Sequence, residues 1–359
     1  MINIDNCFGC GACAQSCPQK CIELKENAEG FLSPIVDEKN CIGCGICNGV
    51  CQMENNDWKQ NTEVIKKAYL FANMNEYYRN LSSSGGFFVA VSNWVLDRGG
   101  VIFGAAFTED FMVSHKYVTN KIDLFALMGS KYVQSDLKNT FSEAKEFLKQ
   151  GSWVLFSGTP CQIGALNEFL KEEDTSRLVL VDFVCHGVPS TKVWREYLNE
   201  CHNQDIRYIN FREKRIGWWE YEFRIQYAKG EYASKYRGGN DPYIDLFLKK
   251  QSLNQTCYDC KYRDEHKYSD FFIGDAWNIN RIKNNMDDDR GITIVFVNSA
   301  KGEAIIKELQ NNNIFEIEID EAIKYRTELF EPSIMPKGRK VFFDNLEKGF
   351  RKAYEKVND

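Results

Sequence analysis

The sequence has no run of about eighteen consecutive apolar residues, which excludes a membrane-spanning helix read from hydropathy. Its first residues, Met1 to Cys7, show neither a charged leader nor an apolar segment, so no secretory signal is expected. Basic residues are not in excess. The 45 Lys and Arg stand against 51 Asp and Glu, and a net charge of −6 with a pI near 5.5 argues against a dedicated nucleic-acid binder. No G-x-G-x-x-G follows a candidate strand and no Walker A motif occurs, so neither common nucleotide signature is present. Beyond a doubled cysteine pattern near the N-terminus there is no internal repeat and no low-complexity segment. What the chain does have is cysteine, 14 in 359 residues. With 43% hydrophobic residues and length for two or three domains of roughly 100–200 residues, it can pack a core without disulfide staples. The expected setting is cytoplasmic and reducing, where such cysteine usage reads as metal or redox chemistry.

The cysteines are unevenly placed: nine within residues 7–51, none in 52–160 and five in 161–260. A polar stretch from Glu54 to Asn61 reads as a linker after the first group. Beyond it, apolar strands and helical patterns alternate. Ala68–Ala72, Val101–Phe107, Trp153–Phe156 and Leu178–Val184 read as strands, and Phe87–Leu96, Cys161 to about Leu170 and Ser190–Glu200 as helices. That alternation is the α/β signature. Ile206–Phe211 and Tyr221–Tyr227 alternate around breaks at Gly217 and Gly230, as in a β-hairpin insertion. Phe271–Ile273 and Ile292–Val297 read as further strands, and Phe315–Asp359 as a charged, mainly helical tail. The expectation is an α+β or α/β chain in three parts: 1–60, 64–310 and 311–359.

Cys7, Cys10, Cys13 and Cys17 are spaced C-x2-C-x2-C-x3-C with Pro18 behind them, and Cys41, Cys44, Cys47 and Cys51 repeat the spacing. In bacterial ferredoxins such a run gives three ligands to one 4Fe–4S cluster and the fourth to the other. Thiolates are soft donors suited to iron, and two-residue gaps let one loop wrap three corners of a cubane. Cys7, Cys10, Cys13 and Cys51 are therefore expected on one cluster, and Cys41, Cys44, Cys47 and Cys17 on the second. A zinc pair would need four ligands per site without this sharing. Gln52 stands where the run has proline, and Cys21, outside the spacing, reads as a small buried hydrophobe.

Cys161 and Cys185 each follow a candidate buried strand and open a helix, so a parallel sheet would carry both to one edge. Cys257 and Cys260 form a C-x2-C pair in a polar segment, while Cys201 has no evident partner. Three readings stay open: a third 4Fe–4S cluster on Cys161, Cys185, Cys257 and Cys260; a zinc site on Cys257, Cys260 and His266; or buried cysteines and an incidental pair.

Behind the two cysteine runs, further motifs follow in order. They are Ser84-Gly85-Gly86, Gly129-Ser130-Lys131-Tyr132-Val133-Gln134-Ser135, Gly158-Thr159-Pro160-Cys161-Gln162, Cys185-His186-Gly187-Val188-Pro189-Ser190, Asn210-Phe211-Arg212-Glu213-Lys214, Cys257-Tyr258-Asp259-Cys260 and Gly274-Asp275-Ala276-Trp277. The sequence thereby resembles the coenzyme F-420 hydrogenase/dehydrogenase beta-subunit family, in its bacterial form with a fused two-cluster ferredoxin domain. The resemblance covers about residues 1–300. It implies a flavin, FAD rather than FMN, in the α/β domain beside a 4Fe–4S cluster on Cys161, Cys185, Cys257 and Cys260, hence three clusters in all. Ala276-Trp277-Asn278 departs from the aromatic-Trp-Gly common in relatives. Sequences of this bacterial type resemble proteins associated with cell-surface polysaccharide assembly.

The best phosphate cradle is Ser82-Ser83-Ser84-Gly85-Gly86, leading into the helix at Phe87, with Ser83, Ser84, Gly85 and Gly86 as cofactor contacts; the residues also fit an ordinary Gly-rich helix cap. Lys131 is a candidate for the flavin phosphate or ring edge, or a solvated lysine. His186, beside Cys185, reads as a proton donor, a hydrogen-bond partner of a cluster sulfur, or a structural histidine. Arg212 and Lys214, with Arg215, stand near Trp218 and Trp219 and suit an anionic or sugar-bearing substrate, or form a solvated hairpin tip. Asp275 is expected to line the site. The reading is an iron–sulfur flavoprotein oxidoreductase that takes electrons from a ferredoxin or similar donor and reduces an organic substrate. Its rival is an electron-transfer subunit of a larger hydrogenase- or dehydrogenase-type complex, deazaflavin-linked, with no substrate of its own. A homo-oligomer or a redox partner protein fits either.

Overall fold

The computed structural model describes residues 7–54, 59, 62–324 and 329–358. Apart from Glu54 and Lys59, the stretch read as a linker lies outside them. Near the N-terminus, Ile22–Glu26 (β1) and Leu32–Val36 (β2) pair antiparallel. β1 packs on the short helix Ala12–Ser16, which in turn packs on Ile46–Gly49. Then come Glu63–Val64 (β3), Lys67–Ala72 (β4), Val101–Phe107 (β5), Val113–Val118 (β6), Val154–Gly158 (β7) and Leu178–Phe183 (β8). Ile206–Glu213 (β9), Glu222–Tyr227 (β10), Glu231–Lys235 (β11), His266–Lys267 (β12), Phe271–Asp275 (β13), Thr293–Val297 (β14) and Asn313–Ile317 (β15) follow.

The main sheet has eight strands in the order β15-β4-β14-β13-β8-β7-β5-β6. Only β13, β8, β7 and β5 run parallel; the strands flanking them pair antiparallel. The central strands are apolar runs because helices cover both faces. On one face, Val91 and Val95 of the helix Phe87–Leu96 and Ile305 and Ile306 of Ala300–Glu308 pack on Ile102, Leu155, Val179 and Val295. On the other, Phe141 and Ala144 of Thr140–Lys149 and Ile163 and Leu166 of Pro160–Phe169 pack on Phe103, Val154, Phe156 and Leu180.

Two regions differ from expectation. The segment read as a hairpin is a three-stranded antiparallel sheet, β11-β10-β9. β11 escaped the reading because its five residues are mostly exposed and carry no apolar alternation. The tail is not helical from Phe315, since Phe315 lies in β15, which pairs with β4. As an edge strand with only Ile317 fully buried, β15 shows little hydrophobic periodicity. Farther on, Phe342, Phe350 and Ala353 pack beside Trp194 and Tyr197 of the helix Thr191–Cys201.

The small cysteine-rich unit is fastened to the α/β part at several points. Gln15 Oε1 accepts from the backbone N–H groups of Phe141 and Ser142, and Gln134 Oε1 accepts from Leu32 N–H. Arg195 pairs with Glu26 at 2.7 Å, and the buried Arg339 pairs with Glu29 at 2.5 Å. Between them Gly30, at φ +81°, lies so close that a Cβ there would stand 2.1 Å from that of Lys192. Only glycine permits this approach.

Two buried histidines stay neutral. His115 is held between Ser135 Oγ and the Ser157 carbonyl, and His202 between the Tyr197 and Tyr227 hydroxyls; burial lowers each pKa from 6.5 to about 4. The unfolded chain binds these protons from about pH 6.5 downward and the folded chain only near 4, so their stabilisation is full above about 6.5 and lost as pH falls toward 4. Thermal melts from pH 7 to 4.5 are expected to show a declining midpoint, and the His115→Gln, His202→Gln double variant a flatter profile.

Candidate metal centres and the adjoining site

The two N-terminal runs use the same device. Gly9 and Gly11 lie at φ +69° and +71°, and Gly43 and Gly45 at +66° and +73°, each pair ahead of a short helix. These left-handed turns curl each loop tightly between its cysteines. Cys7, Cys10, Cys13 and Cys51 line a single cavity closed by Leu24 and Pro34. The four cysteines that the spacing assigns to one cluster thus share a cavity wall. Of the second set, Cys41 and Cys44 are exposed, and Cys17 and Cys47 pack against the cluster formed by Cys13, Cys21 and Ile22. Cys21, expected to be a simple buried hydrophobe, has its sulfur 3.4 Å from Cys17 Sγ and feels the charge of Cys41. It belongs to the surroundings of the second set, a role hinted only by its position four residues after Cys17.

Cys161, Cys185, Cys257 and Cys260 also line one cavity, enclosing about 470 Å³ of empty space partly open to solvent. The parallel strands explain why. Cys161 starts the helix after β7, where Pro160 takes the first position and Gln162 caps Thr159 N–H, and Cys185 follows β8. Their strands run side by side, so both loops emerge at the carboxyl edge. Asn254 donates its N–H to the Val188 carbonyl and draws the Cys257–Cys260 segment onto that edge. Gly187, at φ +125°, is needed because a Cβ would meet Leu253 Cδ1 at 2.5 Å.

Burial comes first and the neighbouring thiols next in pushing Cys161 up, and the same causes raise Cys257. In the first set Cys10 is pushed up to about 12, chiefly by burial. Four partly desolvated thiols around one cavity resist becoming four thiolates unless a multivalent cation neutralises them. Arg263 and Lys267 also line the wall of the second cavity, and Arg263 favours the ionised forms of Cys185, Cys257 and Cys260. Among the described residues, no three His, Cys, Asp or Glu groups converge on one point as ligands of a single ion. A cubane instead takes one thiolate at each of four separated corners, which suits sulfurs spread around a cavity. His266, the third ligand of the zinc reading, has Nδ1 2.6 Å from Asp264 Oδ1.

The remaining candidates meet beside the ends of β4, β13 and β14. Ser83 Oγ accepts from the N–H and Oγ of Ser130, which joins the serine loop to the loop of Lys131. Ser84 Oγ donates to the Ile292 carbonyl and lies in hydrogen-bonding contact with Asp275. Gly85 fits only as glycine, because a Cβ would stand 2.2 Å from the Phe71 carbonyl oxygen; Gly86, at φ +85°, caps the helix that follows. Lys131 Nζ donates to the carbonyls of Met128 and Gly129, and burial, then Lys116, lowers its pKa to about 7. Lys214 Nζ donates to the carbonyls of Arg79, Ser84 and Arg290, and burial, then Arg212 and Arg79, lowers it to about 7 as well.

Arg212 forms a two-point ion pair with Asp275 at 2.6 and 3.0 Å, lies 4.3 Å over the Tyr221 ring, and is 6% exposed. Burial opposes the Asp275 carboxylate, but Arg212 overrides it and holds the pKa below the usual range. Trp218 Nε1 also donates to Asp275, and Trp218 stacks on Trp277. Arg215 instead pairs with Glu231, so the three basic residues do not form one solvated tip. His186 is exposed, with its carbonyl accepting from Ser333 Oγ. Sequence reasoning missed Phe8, Tyr262, Arg263 and Lys267, which join the cysteine walls only through the tertiary fold.

Residues 151–322 match the family model for the C terminus of the coenzyme F420 hydrogenase/dehydrogenase beta subunit, and residues 6–55 match the 4Fe-4S dicluster domain. The chain thus carries the C-terminal domain of the coenzyme F420 hydrogenase/dehydrogenase beta subunit behind a 4Fe-4S dicluster domain. A chain of the F420-reducing NiFe hydrogenase complex from Methanosarcina barkeri, in a structure with xenon derivatization, shares the fold at a TM-score of 0.51 and 15% identity. The match covers 83% of this chain and 91% of that one. Among curated proteins, none matches. The chain is accordingly an iron–sulfur electron-transfer protein carrying a 4Fe–4S dicluster domain. No helix among its described residues is long and apolar enough to cross a membrane.

Two substitutions probe the site's framework. Arg212→Ala strands the buried Asp275 and is expected to cost about 3–5 kcal/mol of unfolding free energy. Gly85→Ala forces a Cβ into backbone and is expected to cost about 1–3 kcal/mol, measurable by denaturant titration.

Proposed function

We propose that this chain is an iron–sulfur flavoprotein oxidoreductase with a third 4Fe–4S cluster, held by Cys161, Cys185, Cys257 and Cys260. The observation that carries the reading is the convergence of those four cysteines on one cavity whose wall shares Phe8 with the cavity of Cys7, Cys10, Cys13 and Cys51. Bound there, such clusters supply one-electron steps that a flavin pairs into the two-electron reduction of an organic substrate.

The chain's own residues divide the work. Cys17, Cys41, Cys44 and Cys47 hold the outer cluster where a ferredoxin or similar one-electron donor reaches it, since Cys41 and Cys44 are exposed and Ile42 between them is 64% exposed. Ser83, Ser84, Gly85 and Gly86 present a helix N-terminus to the flavin pyrophosphate. Lys131, half-buried and bonded to two carbonyls, adds a cationic group there. Arg212 and Asp275, locked together, position Trp218 and Trp277 rather than bind an anion themselves, and Lys214 holds the serine loop shut against Arg290. His186, exposed beside Cys185, remains the proton donor of choice. FAD is preferred to FMN, and a substrate of cell-surface polysaccharide metabolism is the class to try first. The division at 1–60, 64–310 and 311–359 belongs to the same proposal.

A second reading, an electron-transfer subunit exchanging electrons with a deazaflavin and lacking its own substrate, is favoured by the family description, which names coenzyme F420.

Anaerobic purification with iron, sulfide and flavin quantification tests the first reading. About twelve irons per chain are expected, against about eight if the third cluster is absent. Cys257→Ser is expected to remove about four irons and leave the dicluster domain loaded. Unchanged iron overturns the ligand assignment, and about one flavin in the wild type that is lost in Lys131→Ala supports the cradle. Oxidation of reduced F420 with no bound flavin would favour the second reading.

A further inference from the structure

We propose that Gln52 is a positioning residue that locks the first cysteine set to the third and tunes the cluster bound by the first. Its coupling of the two sets rests on the proposed third cluster; its effect on the first set does not.

Gln52 occupies the place where the ferredoxin run has proline. It is 2% exposed, and a buried amide must find partners for its N–H and C=O groups. Each partner it finds comes from a cysteine wall. Nε2 donates to the Cys161 carbonyl at 2.8 Å, and the side chain lines the same cavity wall as Cys10 and Cys51. Oε1 accepts from the Tyr262 hydroxyl, and the Gln52 backbone carbonyl accepts from Lys261 Nζ. Cys10 belongs to the first cavity, Cys161 and Tyr262 to the second, and Gln52 itself lines the first directly after Cys51.

The arrangement is built rather than incidental. Tyr262 reaches Gln52 only because residue 164, on the helix opened by Cys161, is glycine: a Cβ there would stand 2.7 Å from the Tyr262 hydroxyl. A primary amide has two N–H groups, so one side chain can hold a carbonyl and keep a second donor in the wall of the first cavity while its oxygen is fixed by tyrosine. Proline offers none of these groups, and glutamate offers no donor.

An N–H aimed at a cluster sulfur stabilises the more negative, reduced form and raises the reduction potential. The transfer Gln52 serves is minimal in chemistry. One electron leaves a reduced cluster on Cys7, Cys10, Cys13 and Cys51 and enters an oxidised one on Cys161, Cys185, Cys257 and Cys260, with no bond made and no proton moved.

The test uses the anaerobically purified full chain and a redox titration followed by electron paramagnetic resonance, with iron content measured in parallel. Gln52→Ala is expected to keep its iron and shift one N-terminal cluster about tenfold toward the oxidised form at fixed potential, a fall of about 59 mV for one electron. Gln52→Glu, which keeps the tyrosine contact but loses both donors, is expected to shift it in the same direction and further. Should Gln52→Ala lose iron, Tyr262→Phe decides, because it frees the amide without removing it and is expected to give a smaller fall. In the Cys257→Ser background the fall persists if Gln52 acts on the first cavity it lines, whether or not a third cluster exists. Iron-loaded Gln52→Ala and Tyr262→Phe chains with wild-type potentials overturn the proposal.

Discussion

Four half-buried thiols around one cavity repel each other as thiolates, and that electrostatic cost organises much of this molecule. Without a multivalent cation the cysteines of the deeper set are driven toward the neutral thiol by burial and by one another. The fold answers with Arg263 and Lys267 in the cavity wall and with backbone N–H groups turned toward sulfur, as Val188 N–H is toward Cys257 at 3.4 Å. The loops that carry the cysteines are accordingly set where donors gather: helix starts, left-handed glycine turns and the carboxyl edge of parallel strands.

That edge also explains how the small unit and the α/β part combine. The unit does not hang from a tether; it is clamped by Gln15, Glu26, Glu29 and Gly30 on one side and by Gln52 on the other. The contacts serve placement more than strength. Arg195 and Glu26 are each about a third exposed or more, so their pair contributes little energy, whereas the buried Arg339 also donates to the Leu253 carbonyl and ties the tail to the loop bearing Cys257. A protein that passes single electrons over short distances needs fixed separations, and a set of directional contacts supplies them.

Beside the serine loop, burial reassigns residues that look alike in sequence. Arg212, Lys214 and Arg215 read as one basic group. Yet one is locked to Asp275, one caps three carbonyls and one lies at the surface against Glu231. Lysines bonded to carbonyls inside the fold, such as Lys131 and Lys214, are held near neutral pH by desolvation, a state that composition does not reveal.

The sequence by itself determined what depends on short separations. The C-x2-C-x2-C-x3-C spacing grouped Cys51 with Cys7, Cys10 and Cys13, whose cavity it lines, and the apolar runs marked the strands β4, β5, β7, β8 and β14. It also placed Cys161 and Cys185 on one edge, because consecutive parallel strands end on the same side. Only the tertiary structure decided what joins distant segments: the arrival of Cys257 and Cys260 at that edge, Cys21 beside Cys17, β15 in the main sheet, and Gln52 between two cavities. The reason is physical. Spacing along the chain encodes local wrapping, while the partner of a buried polar group or thiol is set by which surfaces pack together. Gln52 was visible as a departure from proline, but its contacts with Cys161 and Tyr262 appear only once the two segments pack together.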